Sequence, residues 1–253
     1  STGNQTFTMT GTRLNQLFVG SAAATGSSTI KSVSGNQTLT VGTGAEAGLI
    51  TVAGGASAAA AAIISASTGQ TITTTGNLTL TGGSQSNTAQ TAAARALILN
   101  SGTLGTQSVS AHGINLQGGS VGSANFAYIK SFGSQTIIVD AGGLSITGGS
   151  GGASSNDNMA LVYQAGTTGT TQTITVNNGG SITLQGGSSA KTSVGGAGHG
   201  SFALIESDGA SQTINFTSGG TMSLTGGTNG TRNFASVFSN VGVQSITGLD
   251  SVT

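Results

Sequence analysis

The chain has 253 residues, 45 of them Gly, with no Pro, no Cys, and six Lys or Arg against six Asp or Glu. An ordinary domain is about a quarter charged and about 5% Pro, so this chain lies far outside the usual range. The lack of Cys excludes disulfides, Cys-ligated metal centres and a thiol nucleophile, and so few cations at zero net charge exclude an electrostatic footprint for nucleic acid. The longest apolar run, Ala58 to Ile64, is far shorter than the roughly 20 residues of a membrane helix. The first residues do not read as a signal peptide. Gly-, Ser- and Thr-rich composition is often disordered, but 35% hydrophobic content without Pro argues for a folded core.

Taken in chain order, the sequence repeats a single grammar. Gln5 opens a partial copy, QTFTMTG, and Gln37 a looser one, QTLTVGTGAEAGLITVAGG. Gln70 then opens QTITTTGNLTLTGG, Gln107 QSVSAHGINLQGG, Gln135 QTIIVDAGGLSITGG, Gln172 QTITVNNGGSITLQGG and Gln212 QTINFTSGGTMSLTGG. A last partial copy, QSITG, opens at Gln244. Each full copy predicts two short alternating strands joined by a Gly-bearing turn and closed by a Gly-Gly pair, the pairs lying at 54/55, 82/83, 118/119, 148/149, 186/187 and 226/227. A variable Gly/Ser/Asn-rich stretch follows. A third apolar segment ends the copy: AIISAS, ALILNS, AYIKSF, ALVYQA, ALIESD and ASVFSN. Three strands per copy with no helical spacing predict an all-β fold, a parallel β-solenoid of about seven to eight coils. Residues 1–253 then read as one solenoid segment, expected to be a window of a longer repeat protein or a stacking subunit.

Strand parity assigns the faces. In QTITV, Gln172, Ile174 and Val176 share one side, and Thr173 and Thr175 the other. In the third strand, Arg95, Lys130 and Glu206 fall on one parity, which must be the outer one because unpaired charge is not buried in a narrow core. Ala127, Ile129, Ser131, Ala203, Ile205 and Ser207 are then interior. Stacking places like residues on top of one another, so Gln37, Gln70, Gln107, Gln135, Gln172 and Gln212 are expected to form an amide ladder at a corner. The absence of Pro follows, since each inner coil must donate to its neighbour.

The QTITVNNGGSITLQGGS grammar with its A-x-I-x-S third strand resembles the repeat regions of bacterial filamentous-haemagglutinin-like exoproteins, which are exported by a partner protein or an autotransporter barrel. That resemblance covers nearly the whole chain. It implies a right-handed parallel β-helix outside the cell or on the bacterial surface, working as an adhesin, stalk or biofilm matrix filament. It carries over no active site.

Candidate surfaces follow from the same parity. Tyr128, Tyr163 and Phe238 face outward beside Leu97, Leu161 and Leu204, which predicts an apolar interaction stripe. It is either covered by the loop after each Gly-Gly pair, packed against another copy, or used to stack on cell-surface glycans. The outward Thr pairs, such as Thr38/Thr40 and Thr173/Thr175, resemble the T-x-T arrays of ice-binding solenoids, although Ser108/Ser110, Ile138 and Asn215 interrupt them. β-propensity explains Thr there equally well.

Polysaccharide-degrading enzymes also use β-helices and need two carboxylates about 5–10 Å apart. The chain offers Glu46, Asp140, Asp157, Glu206, Asp208 and Asp250. Glu206 and Asp208 form the nearest pair, with Lys130 two coils away, and are expected to be a solvated strand end. His112 lies in a turn and His199 in a loop, neither with a second ligand at metal spacing. Gly148 to Asp157 lacks the GGxGxDxUx register of calcium-binding rolls, and the GxG stretches lack a strand-to-helix context for phosphate. The sequence therefore predicts no catalysis and no cofactor. It predicts a structural rod that associates with itself end to end or laterally; a carbohydrate- or ice-binding solenoid is the first alternative and a polysaccharide-degrading β-helix, disfavoured by the charge count, the second.

Overall fold

Alternating apolar and polar residues bounded by Gly make strands too short to bury a face alone, and the chain solves this by winding each copy onto the last. The computed structural model describes residues 2–253 except 12–13, 21–25, 43–46, 58, 86–93, 152–157, 167–168, 190–199 and 231. Every strand pairs in parallel with its counterpart one coil away. The first, Gln-bearing face is built from Gln5–Met9, Gln37–Val41, Gln70–Thr74, the first half of Thr106–Gln117, the first half of Ser134–Thr147, Thr171–Val176, Ser211–Phe216 and Val243–Thr247. The second comprises Asn15–Gly20, Gly48–Ala53, Asn77–Thr81, the second halves of the two long strands, Ser181–Gln185, Thr221–Thr225 and Ser251–Val252. The third is a separate seven-stranded sheet of Ser28–Ser32, Ala62–Ala66, Ala96–Asn100, Ala127–Ser131, Ala160–Gln164, Ala203–Ser207 and Ala235–Ser239. The parallel β-solenoid is thus present, with seven three-strand coils and part of an eighth.

Two details differ from the sequence reading. The copy opened by Gln5 is a whole coil, because Asn15–Gly20 and Ser28–Ser32 pair with the coil above despite lacking a Gly-Gly pair between them. In the two central copies the first two strands are one bent strand each, with a register shift between Ala111 and Gly113. Gly143 turns that corner at φ +68°, a backbone region that favours glycine.

The interior is a set of axial rows. Leu39, Ile72, Val109, Ile137, Ile174 and Ile214 stack along the first face, all at 0–1% exposure. Leu78, Ile114, Leu144 and Ile182 stack along the second, and Ile64, Ile98, Ile129, Val162 and Ile205 along the third. Each such side chain contributes about 1.5–3 kcal/mol of burial. Arg95, Lys130 and Glu206 lie on the outer parity of the third face, while Ala127, Ile129 and Ser131 are fully interior, as are Ala203, Ile205 and Ser207.

The Gly-Gly pair is where the chain leaves the second face. Its first member continues the ladder, as Gly118 N–H donates to Thr147 O and Gly148 N–H to Gln185 O. Its second member closes the neck of the following loop: Gly119 donates to Asn125 O, Gly149 to Asn158 O, Gly187 to Ser201 O and Gly227 to Asn233 O, each at 2.5 Å. No side chain fits. A Cβ on Gly149 would lie 2.0 Å from Gly119 O, and one on Gly187 2.0 Å from Gly149 O. The equivalent first glycines Gly186 and Gly226 make a clean comparison, since a Cβ meets Asn233 O at 2.2 Å in one and nothing within 4 Å in the other. Gly186→Ala is expected to cost about 2–4 kcal/mol and Gly226→Ala less than about 0.5 kcal/mol in denaturant titrations. Equal costs would show that coil-to-coil crowding does not select these glycines.

Candidate functional site

The corner between the first and third faces holds a column of primary amides. Gln5, Gln37, Gln70, Gln107, Gln135, Gln172, Gln212 and Gln244 stand in register. Each Nε2 from Gln37 onward donates to Oε1 of the preceding coil, at 2.5–2.9 Å over seven successive bonds. The second hydrogen of the same nitrogens crosses the corner to third-strand carbonyls, including Ile64 O, Lys130 O, Ile129 O, Glu206 O and Phe238 O. All amides point the same way, so each bond polarises the next. The six inner glutamines are 0–2% exposed, which makes this a satisfied polar column inside an apolar core.

A second polar set was missed in the sequence. Asn125, Asn158 and Asn233 sit two residues before the third strand, and their Nδ2 groups hold the loop carbonyls Gln85 O, Gly122 O and Thr228 O. Asn158 Oδ1 also accepts from Asn125 N–H, and Asn233 Oδ1 from Ser201 N–H. The signal was available as a recurring N-x-A, read only as loop composition.

The outer stripe of the third face is largely closed. Leu97, Leu161 and Leu204 are only 5–8% exposed, Tyr128 and Tyr163 are half-buried, and Phe238 is 45% exposed. Leu161 and Leu204 form a small cluster with Met159, packed by Phe126, Tyr128, Tyr163 and Phe202. Phe126 stacks on Tyr128 at 4.2 Å between centroids, and Phe202 on Phe234 at 4.8 Å. The residues just before three of these strands, Phe126, Met159 and Phe202, thus pack with the outer leucines and take part of the stripe out of water.

Beside this cluster stands a polar–aromatic group. Lys130, Tyr163 and Glu206 are stacked in register on the outer row. The Lys130 ammonium lies 4.6 Å from the Phe132 ring centre and 4.8 Å from that of Tyr163. Asp208 accepts from the Tyr163 hydroxyl at 2.6 Å and from Asn240 Nδ2 at 3.2 Å. Burial holds Lys130 below the ordinary ammonium value against the raising charges of Asp208 and Glu206. Burial, then the hydrogen bond to Asp208 and the nearby carboxylates, push the Tyr163 hydroxyl up. Burial and then Asp208 push Glu206 up, with Lys130 opposing. The expected solvated strand end is therefore corrected. Glu206 is half-buried, because stacking on Tyr163 and Phe238 shields it.

No family model, curated protein or solved structure matches the chain. Its functional reading rests on its own residues and on the resemblance of its repeat. His112 and Asp140 meet at 3.9 Å at the corner between the first and second faces, with Asn178 also donating to Asp140. Among the described residues no three His, Asp or Glu converge as a metal site, and no helix is long and apolar enough to cross a membrane. Glu46, Asp157 and His199 lie outside the described residues.

Two measurements follow. Gln135→Leu leaves Gln107 Oε1 without a donor and one of the two Gln172 Nε2 hydrogens without an acceptor inside the core, the other still reaching Glu206 O, for an expected loss of about 2–5 kcal/mol, whereas Gln5→Leu removes one half-exposed link and is expected to cost less than about 1 kcal/mol. Hydrogen exchange or denaturant midpoints distinguish them. For Glu206, whose folded pKa is raised, the folded state binds more protons than the unfolded one, so stability falls as pH rises from the ordinary carboxylate value through the raised one. Glu206→Gln is expected to gain Tm relative to the parent above that window and to lose the advantage below it, by under about 1 kcal/mol after solvent screening.

Proposed function

We propose that this chain is a structural rod of the bacterial surface or extracellular matrix, a segment of an adhesin or filament that works by self-association or attachment. The observation that supports this reading most is the unbroken amide column. Seven consecutive side-chain bonds run parallel to the backbone ladders, so at each of seven successive coil-to-coil junctions an amide bond shares the axial load with the backbone bonds. The repeat's resemblance to filamentous-haemagglutinin-like exoproteins supports the extracellular bacterial setting. The described charges Lys31, Arg95, Lys130, Glu206 and Asp208 fall on or beside the third face, leaving the strands of the other two faces uncharged away from their shared corner. Low charge removes the colloidal repulsion that keeps proteins apart.

The test is display of the chain on the surface of a non-aggregating bacterium, with surface exposure checked by antibody. Expected is faster settling of the cell suspension, or adhesion of the cells to a glycan-coated surface. Cells that display folded chain and do neither would overturn the reading.

A further inference from the structure

The first face carries two outward rows that run the length of the solenoid. In the row next to Gln, Thr38, Thr71, Ser108, Thr136, Thr173 and Thr213 are in register, and Thr6 and Ser245 continue it at either end, so all eight positions are hydroxyls. The second row, from Thr8 to Thr247, has six hydroxyls, with Ile138 and Asn215 as the exceptions. Only Thr247 among these side chains hydrogen-bonds along the chain, to Asn215 Oδ1 at 3.1 Å; the other hydroxyls have no protein partner among the described residues. None of the sixteen is charged.

We propose that this hydroxyl face is where two copies of the chain pack side by side. The inference rests on the rod reading and names the surface it uses. Three features select a second copy as the occupant. The rows repeat about every 4.8 Å along the axis and about 6.6 Å across it, and only a surface with the same axial repeat can meet them coil after coil. A second copy is commensurate by construction. Each hydroxyl carries one donor and two acceptor sites, so the face is complementary to itself in either direction. Apposing two such faces desolvates no ion, which would otherwise oppose association.

The second face does not offer this. Its outer rows include Phe18, Asn115, Gln117 and Gln185, and both Gln117 and Gln185 reach across to glycine carbonyls of the next coil, so its relief is uneven. The stripe on the third face is already partly filled by the chain's own Phe126, Met159 and Phe202.

Size sets the strength. Eight coils span about 34 Å and five residues about 17 Å, giving roughly 1,100 Å² buried over both copies, just above the approximately 1,000 Å² that a specific interface needs. Exchanging water for hydroxyl partners contributes little net energy, while burying Thr methyl groups contributes about 25 cal/mol per Å². One segment thus associates weakly, and affinity rises with the number of coils aligned.

The experiment is sedimentation equilibrium of the purified chain over a concentration series. It compares the parent with Thr136→Lys/Thr173→Lys on the hydroxyl face and Ser145→Lys/Thr183→Lys at the matching coils of the second face, each checked for an unchanged far-UV spectrum. Expected is concentration-dependent association of the parent, weakened at least tenfold by the first pair and less than twofold by the second. Because the chain has no Cys, single Thr173→Cys and Thr183→Cys variants give an independent readout that does not add charge. The first is expected to oxidise to a covalent dimer and the second to stay monomeric. A parent that stays monomeric at its solubility limit, equal weakening by both lysine pairs, or preferential cross-linking of the Thr183→Cys variant would overturn the proposal. So would ice-recrystallisation inhibition by a monomeric parent that the first pair abolishes, which would assign the lattice to ordered water. Cells that still aggregate when displaying the first lysine pair would overturn this face while leaving the rod reading standing.

Discussion

The strands of this molecule are subject to one constraint: each strand residue lies directly over its counterpart about 4.8 Å away in the next coil. At that distance a residue type is chosen less for its own environment than for how well it stacks on itself. Ile, Leu and Val tolerate it by interdigitating along the axis, and the interior rows are built of them. Ala62, Ala96, Ala127, Ala160 and Ala203 form a row of their own where the third strand begins. Glycine is required where backbone passes over backbone, as Gly149 over Gly119 and Gly187 over Gly149. Proline is excluded because it would remove a donor from the ladder. The unusual composition is the result of that repeated choice.

The same constraint turns glutamine into a core residue. An isolated amide buried in this interior would cost about 1–3 kcal/mol for an unmet partner. Stacked, its Oε1 accepts from the next coil while its Nε2 serves the previous coil and a third-strand carbonyl, as at Gln135. A slip of two residues along a strand would set Gln against Ile and break the column at that point, so the amides oppose misregister in a way that uniform apolar rows do not. Charge cannot replace the amide, because like charges stacked at this spacing repel.

Much of this was legible in the sequence, because a repeat displays its own alignment. The eight Gln positions gave the register, Ile174 and Val176 the inner parity, and Lys130 and Glu206 the outer parity of a third strand whose apolar residues alone were ambiguous. What escaped were relations between different points of the coil. That the strands of the Gln107 and Gln135 copies run through the corner depends on local backbone at Gly113 and Gly143. The Asn125, Asn158 and Asn233 anchors depend on where a loop returns. The grouping of Lys130, Phe132, Tyr163 and Asp208 brings together strand residues and the positions just past the strand ends, on three successive coils. Parity places a residue on a face but does not measure how deeply aromatic neighbours bury it, which is why Glu206 read as solvated.

Loop variation then has a physical explanation. Four residues separate Gly55 from Ala60 and thirteen separate Gly187 from Ser201, yet both necks are shut by the same backbone bond from the second glycine. Loop closure entropy rises only slowly with length, and the neck isolates the stacked strands from whatever lies beyond it. Strand positions are therefore held by the stack, while the segment between neck glycine and third strand is free to change in length and chemistry. The strand faces answer to axial repetition and the loop side does not. A solenoid built this way can keep its register and its hydroxyl rows while its third side differs from coil to coil.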